Sequence, residues 1–181
     1  IIVNGTNSEH FSPAFIVFPS NYYGSFANAV FSNFKTTVFS ITGVKESVFE
    51  NVTFQNCEMK WRASLIRIEE SSIQMSSLLF HQIIENDLPM IEAEKSSLTI
   101  HESKIFHCFA IQGMKVPLLF LRNTNMFIHR SQFAYVNTPV SPMFRSEGTG
   151  RINIVGSSFV GGTHTSIIYV HGSAEVSIQN S

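Results

Sequence analysis

Ile100-His101-Glu102-Ser103-Lys104-Ile105 and Ile128-His129-Arg130-Ser131-Gln132-Phe133 are two copies of one short pattern. An apolar residue is followed three places on by Ser, and two places beyond that by Ile or Phe. Ile154-Val155-Gly156-Ser157-Ser158-Phe159 is a third copy, and Val44-Lys45-Glu46-Ser47-Val48-Phe49 reads as a fourth. Met75 to Phe80 fits with Leu78 in the Ser position, and Ile178-Gln179-Asn180-Ser181 opens a further copy. The first positions, 44, 75, 100, 128, 154 and 178, are therefore 31, 25, 28, 26 and 24 residues apart. A ragged period of this length suits stacked coils whose bends vary in length.

The residues upstream repeat as well. Ile66-Arg67-Ile68 aligns with Ile91-Glu92-Ala93, Leu119-Phe120-Leu121, Met143-Phe144-Arg145 and Ile168-Tyr169-Val170. A polar bend of four residues or so follows, and then Ile73, Leu98, Met126, Ile152 and Val176 lead into the core pattern. Each unit reads as two or three very short strands whose side chains alternate in and out. One such coil cannot close a hydrophobic core alone, whereas stacked coils bury a continuous apolar column and satisfy the backbone between rungs. The pattern predicts an all-β fold, a right-handed parallel β-helix of about six to seven coils. An ordinary β-sandwich is the alternative that short strands alone would allow.

Composition agrees. Ile, Val and Phe total 50 of the 181 residues, Ala and Leu only 16, and Ser and Thr 35, which favours strands and turns over helices. Charged residues make up 14% and the net charge is −1, so no strong field points to nucleic acid or an anionic membrane. No apolar run approaches the roughly 20 residues of a membrane-spanning helix, so no transmembrane segment is predicted. The chain lacks a leader pattern and reads as part of something longer. Residues 1–25, with Pro13, Pro19 and Tyr22-Tyr23, read as an irregular or incomplete N-terminal rung, and residues 26–181 as the β-helix, cut within a coil at its C-terminal end.

Phe26 to Phe31 is a shortened copy of the core pattern, and Phe31-Ser32-Asn33, Phe49-Glu50-Asn51 and Phe54-Gln55-Asn56 share a Phe-x-Asn form. These residues resemble the β-helix repeats of polymorphic-outer-membrane-type and related large cell-surface proteins, in which aromatic and Asn residues mark successive coils. The Gly-Gly-Ala-Ile-like half of that signature is absent. The resemblance implies a structural or adhesive surface protein.

Stacking places equivalent residues of neighbouring coils about 4.8 Å apart, so the alignment states who touches whom. Arg67 falls over Glu92, Glu70 over Lys95, Glu94 under Arg122 and Glu102 under Arg130, a wall of cross-rung ion pairs. The Ser column, Ser47, Ser103, Ser131, Ser157 and Ser181, has no repeated His or Asp to activate a nucleophile and reads as corner hydroxyls bonding backbone. His101 and His129 share a column with Lys45, Ser76, Val155 and Gln179, but no third ligand column accompanies them, and no metal site is assigned. Cys57 and Cys108, in coils two rungs apart, are separated by roughly 9–10 Å, beyond disulfide reach, and are predicted to be free and buried.

The polysaccharide-cleaving β-helices, like polygalacturonases and pectate lyases, depend on clustered Asp or a Ca²⁺-binding acidic cluster. This chain has a single Asp, Asp87, and its glutamates align with bases in the next coil. No catalytic residue and no cofactor is assigned, and the chain is read as non-enzymatic. A binding role has one candidate surface. Phe120, Phe144 and Tyr169 would form an outward aromatic ladder of the kind that stacks on sugar rings or anchors a protein. Two N-glycosylation sequons, at Asn4 and Asn51, are compatible with an extracellular or cell-surface glycoprotein. The sequence thus points to a structural or adhesive segment of an extracellular or filament-forming protein. Its partners would be other coils, neighbouring subunits or glycans, and a carbohydrate-binding or carbohydrate-cleaving module is the alternative.

Overall fold

Side chains alternate inward and outward along strands of two to five residues in most coils, and every strand pairs in parallel with its equivalent one coil away. In the computed structural model, which describes residues 1–5, 14–59, 63–85, 87–111 and 115–181, this produces a β-solenoid of about seven coils. Among the described residues there is no helix and every ladder is parallel, which rules out the sandwich. Thr6, in the first sequon, and Pro13 lie outside the described residues.

One coil shows the plan. Ser97–His101 forms the first face, Lys104–Phe106 the second, Phe109–Ala110 a narrow third, and Leu119–Arg122 the fourth before the next coil begins at Asn125–His129. The first and second faces belong to one twelve-stranded sheet, the third is three-stranded and the fourth seven-stranded. Gly24–Ser32 and Ser47–Gln55 run unbroken across the corner between the first and second faces. The fold reaches into the N-terminal segment, where Ile2–Asn4 pairs with the second half of Gly24–Ser32, and Ile16–Phe18 with Phe39–Thr42.

Corners are set by single residues in the left-handed region. Asn28, Asn51, Ser77, Glu102, Arg130, Gly156 and Asn180 all have φ between 48° and 59° and occupy one column between the first and second faces. Asn33, Asn56, Gln82, His107, Tyr135 and Gly161 form a second such column. Each Phe-x-Asn motif noted above ends on one of these bends, where Asn tolerates positive φ better than most residues. Asn51 donates from Nδ2 to Asn28 Oδ1 at 2.7 Å, so like side chains bond up the corner. The other sequon residue, Asn4, accepts at Oδ1 from Asn33 Nδ2 at 3.1 Å.

The residue after each bend points in and closes a hydroxyl ladder. Ser103, Ser131, Ser157 and Ser181 each donate from Oγ to the carbonyl two residues back, at 2.9–3.2 Å. Each also accepts the backbone N–H of the residue below, from Leu78, Ser103, Ser131 and Ser157, at 3.1–3.2 Å. The hydroxyls are thus corner devices that satisfy buried amides. Ser47 does not belong to them. Phe49, not Val44, pairs with Met75, so Ser47 stands beside Ile73, and Phe26 to Phe31 is the copy one coil earlier. The spacing of first positions is then 23, 26, 25, 28, 26 and 24 from Phe26 onward, without the 31-residue gap. The same shift puts Glu50, rather than Lys45, in the column of His101 and His129. A second ladder, Ser71, Ser96 and Thr124, accepts from Val44, Ser71 and Ser96 N–H at the corner after the fourth face.

Inside, aromatic rings stack along the axis. Phe54 lies between Phe31 at 5.5 Å and Phe80 at 5.0 Å, nearly parallel to both, and Phe39 meets it edge-on at 5.4 Å. Ile105 interrupts the column, which resumes with Phe133 and Phe159 at 5.0 Å. Cys57 and Cys108 occupy the second corner with Ile83 between them, and both are free and buried. Burial pushes the Cys57 thiol up to about 11, and Cys108 is raised further by burial with Glu85 and Cys57 nearby. A thiol reagent at pH 8 should leave the folded chain unmodified and label both cysteines in denaturant; rapid labelling of the native protein would mean that the second corner is open.

Candidate functional site

The outer side of the fourth face carries one column in strict register: Val17, Ser40, Arg67, Glu92, Phe120, Arg145 and Tyr169. Phe144 is not in it. It pairs with Leu119 and Ile168, points into the core and is fully buried against Phe133 and Phe159. The expected three-ring ladder is corrected to a ring, a guanidinium and a ring. The cause lies at the entry to this face, where two consecutive residues turn inward in coil after coil: Leu65-Ile66, Met90-Ile91, Leu118-Leu119 and Met143-Phe144 are all buried. Alternation fails there, and a one-residue slip in alignment moves every side chain to the opposite side.

Arg145 carries its guanidinium 5.9 Å from the centroids of both Phe120 and Tyr169, and Arg122, on the same strand as Phe120, sits 5.3 Å from its centroid. Cations over ring faces at these distances are attracted by the ring quadrupole. The guanidinium edges are also held. Arg145 donates from Nε and Nη2 to Glu147 Oε1 at 3.0 and 2.6 Å, and Arg122 lies 3.7 Å from Glu94 and 3.8 Å from Glu147. Two arginines and two glutamates balance, so the patch is aromatic and close to neutral. Tyr169 remains 48% exposed, which leaves a ring face available to a partner.

The corner next to Arg122 opens into a polar groove. Asn123 Oδ1 accepts from Thr149 N and Oγ1 at 3.1 and 3.3 Å, and Asn125 Oδ1 from Arg151 N at 3.0 Å. Arg151 pairs with Glu175 at 3.0 Å across the groove mouth. The groove continues past Lys95 and Glu70, paired at 3.4 Å, to Lys45. This arrangement offers hydrogen-bonding groups and aromatic faces along one edge.

The predicted charge columns are in register: Glu92 opposes Arg67, Lys95 meets Glu70, Arg122 meets Glu94, and Arg130 lies 3.7 Å from Glu102. Exposed pairs of this kind contribute about 0–1 kcal/mol each, and they fix register more than they stabilise. His101 and His129 are adjacent, as their column requires. Among the described residues no three His, Cys, Asp or Glu side chains come together as a metal cluster. Asp87 is exposed and stands apart from the aromatic column.

Sequence reading missed one buried acid. Glu85 lies on the narrow third face between Met59 and Ala110, fully buried, and neither carboxyl oxygen has a hydrogen-bond partner. Burial raises its carboxyl well above the ordinary 4.5 and outweighs the opposing pull of the Met90 backbone. The apolar run Ile83-Ile84 beside it was the available signal.

No family model, curated protein or solved structure matches this chain. The fold and the geometry above define its class, a parallel β-solenoid repeat protein. Among the described residues no helix is long and apolar enough to cross a membrane.

Proposed function

We propose that this chain is a non-enzymatic structural or adhesive segment of a larger extracellular or filament-forming β-solenoid protein at the cell surface, of the kind its Phe-x-Asn corners resemble. The observation that carries the reading is the use of its reactive side chains. The serine hydroxyls close backbone ladders and Glu94, Glu102, Glu147 and Glu175 each face an arginine, so these groups are engaged with the next coil rather than converging on a substrate. Glycoside cleavage needs a pair of carboxyl groups free to act as acid and base across a sugar. Incubation with acidic and neutral polysaccharides should release no new reducing ends and no unsaturated uronate. Release that disappears on substituting Glu94 or Glu147 by Gln would overturn the proposal.

The column of Phe120, Arg145 and Tyr169 favours a second reading, carbohydrate recognition without cleavage. Rings held apart by a guanidinium cannot collapse on each other, and an exposed ring face stacks on the apolar face of a sugar. On a glycan array, binding lost in both Phe120→Ala and Tyr169→Ala favours recognition on this face. A blank array favours a strut.

A further inference from the structure

Parallel stacking brings His101 and His129 together on the outer side of the first face, with ring planes 16° apart and Nδ1 atoms 3.1 Å apart. Two ring nitrogens meet at that distance with one proton between them, one donating and the other offering its lone pair. Glu102 decides which. Its Oε1 lies 3.3 Å from His101 Nε2, a charge contact that favours the proton on that nitrogen, so Nδ1 of His101 offers the lone pair and His129 holds the shared proton. Glu102 is itself held 3.7 Å from Arg130. A carboxylate on the far nitrogen of an imidazole is the arrangement that fixes the tautomer of metal-ligating histidines and strengthens them as donors.

We propose that His101 and His129 form a two-imidazole chelate for a divalent, nitrogen-preferring transition ion, with Cu²⁺ bound most tightly and Glu102 as the orienting residue. At ligand distances of about 2.0–2.1 Å, nitrogens 3.1 Å apart subtend an angle of roughly 100° at the ion, that of neighbouring positions in a square-planar or octahedral field. The spacing of parallel rungs presets this bite. Rotation about each Cβ–Cγ bond turns both lone pairs off the line between the two nitrogens and towards a shared ion. The proton on His129 Nδ1 moves to Nε2 by exchange with water, so neither imidazole changes charge, and water fills the remaining coordination positions. Ser76 and Val155, above and below in the column, leave the site open at both ends, and Arg130 is the nearby cation, faced by Glu102. His81 and His107 also neighbour each other, but their rings meet edge to face at 65°.

The test is a Cu²⁺ titration of the full chain by calorimetry, with electron paramagnetic resonance to count coordinating nitrogens. One ion per chain with two imidazole nitrogens is expected. His101→Ser and His129→Ser, side chains the column already accepts at Ser76, should each weaken binding at least tenfold. Glu102→Gln should weaken it about 10- to 100-fold, and His107→Ala should leave it unchanged. Circular dichroism of each variant checks that the solenoid is intact. No binding, or binding undiminished in either serine variant, would overturn the proposal and mark any bound copper as adventitious.

Discussion

Replacing Phe54 by alanine is expected to lower the unfolding free energy by about 3–5 kcal/mol. Its ring is fully buried, flanked on both sides along the axis by Phe31 and Phe80 and braced edge-on by Phe39. Neighbouring coils cannot move in to fill the space, because their backbone spacing is fixed by the ladders on either side. Removal therefore leaves a cavity in addition to the lost transfer energy. For a chain of this size the loss corresponds to a fall in Tm of about 6–20 °C. Phe133→Ala, which removes a ring stacked on Phe159 and edge-on to Phe144, should cost a similar amount. Unchanged melting in both variants would mean that these rings are not the core column.

The second large effect has the opposite sign. Glu85→Met should stabilise the protein by about 1–3 kcal/mol at neutral pH, since it removes a buried carboxyl without hydrogen-bond partners and repeats the Met59 of the coil below. The pH dependence follows from the raised carboxyl. The folded state holds its proton where the unfolded chain, near 4.5, has released it. Stability from this group is therefore fullest below 4.5 and falls as pH rises towards the folded value. The wild type should lose stability on the alkaline side relative to Glu85→Met, and the gap should narrow at pH 4. Denaturant midpoints across pH measure this directly, and a gap that widens at low pH would contradict the buried neutral acid.

The parts of this fold legible in the sequence were those where one residue type recurs with a clean alternation. Leu98, Ile100 and Ser103 match Met126, Ile128 and Ser131 because the same positions face in and the same hydroxyl closes the corner. Val44 to Phe49 imitated the pattern by chance, while the true copy, Phe49 to Phe54, has Val52 at the corner where the four later coils have Ser103, Ser131, Ser157 and Ser181. Hydrophobicity cannot separate those two registers. The aromatic column was half legible. Phe120 and Tyr169 follow the inward pairs Leu118-Leu119 and Ile167-Ile168, whereas Phe144 is itself the second residue of such a pair, an arrangement that strand alternation does not anticipate. The left-handed corners were hidden because Asn, Ser, Glu, Arg and Gly serve one backbone position in turn. Geometry is repeated there and chemistry is not. The contact between His101 and His129 was visible as a column, but the approach of Glu102 to His101 became apparent only with the corner that turns it back.

The central claim is that the chain rises one rung per repeat, with Ser25, Val48, Gln74, Thr99, Phe127, Asn153 and Ser177 in one outward column. Spin labels on cysteines placed at Ser25 and Phe127, and at Ser25 and Ser177, test it by pulsed electron paramagnetic resonance, with the buried native thiols left unlabelled. At about 4.8 Å per rung the backbone separations are roughly 19 and 29 Å. The second pair should therefore read about 10 Å longer than the first. Distances that do not grow with rung number would contradict the stacked solenoid and the surface columns derived from it.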